Sequence, residues 1–271
     1  MKMHILDLGR MYVDESAFVA GIHGGTLRNQ NPVAQWIEFP VTATLVESKD
    51  GYILYDTGCN IRESVIPDDE DTPSPFVSGE DAILPARLEK MGIRPSDVKC
   101  VVLSHMHCDH VGYLYLFKNA EIVVAEREFA NAMKLYGLRG FGPGPYKYAD
   151  FEDFLAAGMN WRLLTEDFRE YEIADGVKAV TLGSGHTFSM TGFSVSLPKS
   201  GNFLFSADAL YCSKNLGPPI RIPGLIFDSV GYIKSAGFIA EYAKKTGSKI
   251  VFGHDLEQFV TLKRAPDAYY D

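Results

Sequence analysis

The stretch "SHMHCDHVGY", residues 104–113, gathers His105, His107, Asp109 and His110 directly after the apolar run Val101, Val102 and Leu103. The 271-residue chain holds seven histidines, and three of them share this one turn. Neutral imidazole and carboxylate are the donors that Zn2+ and its first-row neighbours accept. In an HxHxDH turn, alternate side chains fall on one side and the last two residues on another. One short loop can therefore serve two adjacent cations. His4 and His23, each taken alone, read instead as hydrogen-bonded structural histidines.

The elements around this turn are those that present loops for chemistry. "ILPARLEKMGIRPSDVKCVVLSH" predicts a helix with apolar spacing at Leu84, Leu88 and Met91, a loop at Gly92 and Pro95, then a buried strand over Val101–Ser104. The histidine turn thus begins at the C-terminal end of a strand, where α/β sheets carry their sites. "AEIVVAEREFANAMKLYG" repeats the strand-then-helix alternation. In the second half, "VKAVTLGSGHT" runs into His186, the hairpin "GFSVSLPKSGNFLFSADAL" into Asp208, and "KIVFGHD" into His254. Three further candidate ligands therefore follow three further strands.

"TATLVESKDGYILYDTG", residues 42–58, reads as a hairpin turning at Lys49, Asp50 and Gly51. Residues 10–40 and 60–82 lack clear periodicity and are expected to be long loops, of the kind that wall a pocket. Within them Met11, Phe18, Trp36 and Phe76 are candidates for an apolar groove.

The composition, 46% hydrophobic and 23% charged, excludes disorder and a fibrous architecture. The length fits a single α/β domain over residues 1–271. A net charge of −9 with dispersed Lys and Arg argues against nucleic acid as a partner. No segment has the roughly 20 apolar residues of a membrane span, and the N-terminal apolar run is too short for a signal peptide. A cytoplasmic protein without membrane association is expected. Cys59, Cys100, Cys108 and Cys212 show no CxxC pairing and read as free thiols.

His105, His107, Asp109 and His110 match the HxHxDH signature of the metallo-β-lactamase superfamily, and His186, Asp208 and His254 follow in its order His, Asp, His. The resemblance implies an αββα sandwich of two mixed sheets flanked by helices. It also implies two divalent cations, with Zn2+ the first choice and Co2+, Mn2+ or Fe2+ as alternatives. His105, His107 and His186 would hold the first, Asp109, His110 and His254 the second, and Asp208 would bridge them. Asp56 resembles the carboxylate that orients a ligand imidazole, with a turn or cap role as the alternative. Cys108 lies between ligands, but alternation turns its side chain away from them.

Within the superfamily, His107 disfavours the redox branch, which resembles HxExDH, and Asp208 stands where the zinc β-lactamases carry Cys. Glyoxalase II-like thioesterases add a C-terminal substrate region, for which residues 255–271 leave no room. The chain is most similar to quorum-quenching N-acyl homoserine lactonases. It shares the "ILDLG" strand, "LYDTGC", "SADALYC" and the ending "FGHDLEQF", with Tyr211 three residues beyond Asp208. That likeness implies hydrolysis of the lactone ring, with the Tyr211 phenol stabilising the oxyanion and Asp109 carrying a proton to the leaving alkoxide. A thioesterase or another ester or phosphotriester hydrolase on the same metal centre is the alternative, and the chain is expected as a monomer or homodimer.

Overall fold

The computed structural model describes residues 1–64, 72–142, 144–167 and 169–271. Twelve strands form two sheets among these residues. The first holds seven: β1 (Lys2–Asp14), β2 (Trp36–Ser48), β3 (Gly51–Tyr55), β4 (Phe76–Val77), β5 (Val98–Val102), β6 (Glu121–Ala125) and β7 (Asn160–Leu164), in the order β4-β1-β2-β3-β5-β6-β7. The second holds five: β8 (Glu170–Ala174), β9 (Val177–Gly183), β10 (Met190–Leu197), β11 (Gly201–Ala207) and β12 (Lys249–Phe252), in the order β12-β11-β10-β9-β8. Both are mixed, with β3, β5, β6 and β7 parallel in one and β11 and β12 parallel in the other.

The period-2 alternation of strand side chains explains the layering. Along β3, Leu54 joins one core while Ile53 and Tyr55 join the other, and along β5 Val101 is set against Cys100 and Val102 in the same way. On the outer face of the seven-stranded sheet, Leu54 and Val101 share a core with α1 (Leu84–Lys90), α3 (Glu126–Gly137) and α4 (Tyr148–Ala157). The opposite faces of the two sheets meet, where the Tyr55 and Phe193 rings stack at 5.0 Å. Tyr232, Ala236 and Ile239 of α6 (Ser229–Thr246) then cover the five-stranded sheet. The result is the expected αββα sandwich. Three one-turn helices, α2 (Cys108–Val111), α5 (Ser213–Leu216) and α7 (Leu256–Phe259), lie in the loops.

The hairpin expected over residues 42–58 is present, with Ser48 paired to Gly51 around Lys49 and Asp50. The expectation of a continuous loop over residues 10–40 is corrected, because β1 extends to Asp14 and β2 begins at Trp36. These ends pair with each other, Arg10 with Pro40 through Asp14 with Trp36, beyond a register shift after Asp7. That pairing is long-range, so the local pattern does not display it. In the second stretch, Phe76 and Val77 add a short strand against Met11 and Arg10, while residues 65–71 lie outside the described residues.

Candidate metal centre

Every candidate ligand lies just past the C-terminal end of a strand. His105, His107, Asp109 and His110 follow β5, with the last two inside α2; His186 follows β9, Asp208 follows β11 and His254 follows β12. All seven are buried. Two clusters result: His105, His107, His186 and Asp208 in one, and Asp109, His110, His254 and Asp208 in the other, with donor atoms within 4.8 Å of one another in each.

Asp208 divides its carboxylate between them. Its Oδ2 lies 3.2 Å from His186 Nε2 and 3.9 Å from His105 Nε2, while Oδ1 lies 2.9 Å from His254 Nε2 and 3.4 Å from His110 Nε2. Asp109 Oδ2 faces His110 Nε2 at 3.4 Å and His254 Nε2 at 3.5 Å. Apart from these contacts among the ligands themselves, His105 Nε2, His110 Nε2 and Asp208 Oδ1 are buried without a hydrogen-bond partner. Buried polar atoms are nearly always satisfied, and three converging orphans of this chemistry fit cations. The donor sets suit divalent metals with N and O preference.

The far side of three of the imidazoles is held by groups outside the clusters. His110 Nδ1 lies 2.8 Å from Asp56 Oδ2, His105 Nδ1 lies 2.9 Å from Ser104 Oγ, and His254 Nδ1 lies 2.9 Å from the Pro40 carbonyl. Such contacts fix the tautomer so that the other ring nitrogen is free to ligate. Asp56 also accepts the Ser104 N–H at 2.7 Å, so one carboxylate ties the end of β3 to the ligand turn. Asp56 and Ala207, the latter just before Asp208, adopt positive φ of 59° and 42°. Left-handed backbone at non-glycine residues is costly and tends to gather at functional sites. The turn after Asp56 is locked to α2 by Thr57 N–H to the His110 carbonyl at 2.7 Å and Gly112 N–H to the Gly58 carbonyl at 2.9 Å.

Electrostatics sorts the two clusters. Burial, with the neighbouring imidazoles adding to it, pushes His105 and His107 well below the ordinary histidine range. Burial likewise lowers His186. Burial would also lower His110 and His254, but facing carboxylates, Asp109 first for the former and Asp208 for the latter, outweigh it and raise both. Burial pushes the Asp109 carboxyl up, yet His110 and His254 bring it down to about 2. Asp208, also penalised by burial, is held well below the usual range by His254, His110 and His186.

The centre opens into a cleft of about 980 Å³ whose walls include Met11, Phe18, Phe39, Phe76 and Leu225. His107, Asp109, His186, Asp208, Tyr211 and His254 form its floor. Three of the four apolar groove candidates therefore line it. Trp36 does not: it opens β2 with 56% of its surface exposed. Tyr211 sends its phenol oxygen to His186 Nδ1 at 2.9 Å, and its ring stacks on Phe18 at 4.6 Å. Cys108 stands outside both clusters, beside Cys59 in the cleft wall.

The sequence pattern that defines the Metallo-beta-lactamase superfamily matches residues 36–254. Over its whole length the chain is 36% identical to N-acyl homoserine lactonase AiiB of Agrobacterium fabrum, covering 99% of that protein. It is 32% identical to N-acyl homoserine lactonase AttM of Azorhizobium caulinodans, over 86% of this chain and 88% of that one. The chain belongs to the metallo-beta-lactamase superfamily, in its N-acyl homoserine lactonase family. Among solved structures, a quorum-quenching N-acyl homoserine lactone hydrolase superposes with a TM-score of 0.81 at 24% identity, over 99% of this chain and 98% of that one. For this member of the superfamily, that likeness establishes the αββα fold.

Sequence reasoning missed Glu128, whose buried carboxylate accepts the Met106 N–H at 3.1 Å and the Tyr146 hydroxyl at 2.8 Å. A glutamate in the first turn of a helix carries no signal that distinguishes it from an ordinary helix-start carboxylate.

Proposed function

We propose that this chain, acting as one domain, hydrolyses the lactone ring of N-acyl homoserine lactones to N-acyl homoserines. The observation that carries the reading is the pair of His/Asp clusters sharing Asp208 beneath an apolar-walled cleft, with the Tyr211 phenol at its floor. The names of the relatives, matched over 86% or more of the chain, support the substrate. Two divalent cations held by the seven ligands, Zn2+ foremost with Co2+, Mn2+ or Fe2+ as alternatives, would supply Lewis acidity to the carbonyl and bring a water's pKa toward about 7.

The chain's own groups do the rest. With His186 Nε2 turned to the cluster, its Nδ1–H donates to the Tyr211 oxygen. The phenol hydrogen is then free to donate to the lactone carbonyl oxygen as negative charge develops there. Burial, reinforced by Asp208 and Asp109, raises the Tyr211 phenol well above its ordinary value, so it stays a donor. Asp109 takes the proton of the attacking water and returns it to the ring oxygen that leaves as an alkoxide. Met11, Phe18, Phe39 and Phe76 receive the acyl chain. A cytoplasmic location is supported by four cysteines, all free thiols, and no described helix is long and apolar enough to cross a membrane.

The test is mass spectrometry of acyl homoserine lactones incubated with metal-loaded protein. The product should gain one water with its amide intact. Release of fatty acid, or thioester cleavage far faster than any lactone opening, would refute the assignment.

A further inference from the structure

The two clusters are supported by different groups. The second is backed by Asp56 on His110 and by the Pro40 carbonyl on His254. The first has Ser104 Oγ on His105 and the Tyr211 phenol on His186, and one carboxylate ties together the loops that carry its imidazoles. Glu128, fully buried at the start of α3, accepts the N–H of Met106, the residue between His105 and His107. It also accepts the hydroxyl of Tyr146, whose ring meets that of His107 edge-on at 4.5 Å. The Thr187 hydroxyl and the Ser189 N–H, from the loop that bears His186, lie near the same carboxylate, whose buried Oε2 makes no hydrogen bond. Pro145, beside Tyr146, accepts the Cys108 N–H at 2.8 Å. Three separate chain segments, two carrying first-cluster imidazoles and one packing against His107, therefore converge on Glu128.

We infer that Glu128 is a positioning residue that sets the spacing of His105, His107 and His186, and that its removal weakens the first cation site while leaving the second intact. This rests on the two-cation reading above. The physical ground is that Glu128 is an acceptor surrounded by donors. One carboxylate oxygen can accept from more than one donor, as Glu128 Oε1 does from the Met106 N–H and the Tyr146 hydroxyl. Glutamine could keep its oxygen toward Met106 and Tyr146, but its NH2 group would then face the Thr187 hydroxyl and the Ser189 N–H, and the loop that bears His186 would have to shift to relieve it. Loops that carry imidazoles cannot part without changing the distances among them.

The test titrates Co2+ into chelator-stripped protein, following visible absorption and metal content, in two backgrounds. His254→Ala leaves the first site as the intact one, and His107→Ala leaves the second. Adding Glu128→Gln should weaken Co2+ binding about tenfold in the His254→Ala background and change it less than about twofold in the His107→Ala background. Tyr146→Phe, which deletes a single hydrogen bond and no buried volume beyond an oxygen, should shift binding in the same selective direction if Glu128→Gln does not fold. Equal weakening in both backgrounds, or none in either, overturns the role of Glu128. Uptake of one Co2+ by the wild-type chain would instead overturn the two-cation reading.

Discussion

The Tyr211 phenol oxygen and Nδ1 of His186 lie 2.9 Å apart, at the boundary between the cleft and the first cluster. The bond gives Tyr211 two duties, since it fixes the His186 ring and leaves its own hydrogen for the substrate. Tyr211→Phe should lower kcat about tenfold to a thousandfold with a smaller effect on KM. With the hydrogen bond to His186 lost, Co2+ affinity at the first site should also fall, by about tenfold at most. Steady-state kinetics and a Co2+ titration on one preparation check both. An unchanged kcat would reduce Tyr211 to a packing partner of Phe18.

Asp208 offers one oxygen to each cluster, so Asp208→Asn and His254→Ala should differ in kind. The first should weaken both sites together, whereas the second should chiefly weaken the site formed with Asp109 and His110. Elemental analysis after dialysis against a weak chelator checks this. Fully active enzyme with a single tightly held ion per chain would contradict the dinuclear arrangement.

Much of the centre is legible in the sequence because each ligand is a polar residue at the end of an apolar run. His105 after Val101–Leu103 and His254 after "KIVF" need no tertiary information to be noticed. What holds the ligands is less legible. Asp56 is visible through its turn, but Pro40 acts through a backbone carbonyl that any residue possesses. Glu128 acts across sheet and loop on residues from 22 positions before it, Met106, to 18 after it, Tyr146. The extension of β1 and β2 through residues 10–14 and 36–40 is likewise set by their mutual pairing. Trp36 illustrates the same limit, since its apolar character suggests the cleft while its place at the outset of β2 leaves it exposed.

Gly112 bears on stability rather than chemistry. A Cβ there would sit 2.2 Å from the backbone nitrogen of Asn60 and 2.8 Å from the Gly58 carbonyl oxygen. Backbone cannot give way as a flexible side chain can, and this contact joins the Asp56 turn to α2. Gly112→Ala should therefore cost about 1–3 kcal/mol and lower Tm by roughly 2–12 °C. Thermal denaturation monitored by circular dichroism reads the change. A Tm within about 1 °C of wild type would show that the two turns separate freely.

Acid should act on the segment that brings Phe18 to Tyr211. Glu15 is buried, with Lys214 Nζ at 2.7 Å and His23 Nε2 at 2.8 Å from its carboxylate oxygens. The Lys214 ammonium first, and His23 after it, hold this carboxyl below its ordinary value of 4.5 against the opposing effect of burial. A depressed folded-state pKa means the ionised form stabilises the fold. The contribution is fully present above about pH 4.5, begins to fade as the unfolded chain takes up the proton, and is lost as pH falls through the lower folded value. Glu15→Gln removes the ionisation, so wild type should be more stable than the variant at pH 7, and the gap should close below pH 4.5. Urea denaturation of both proteins from pH 7 to pH 3 measures it. A gap that persists unchanged at pH 3 would mean that the Glu15 charge contributes nothing and that packing alone holds Phe18 against Tyr211.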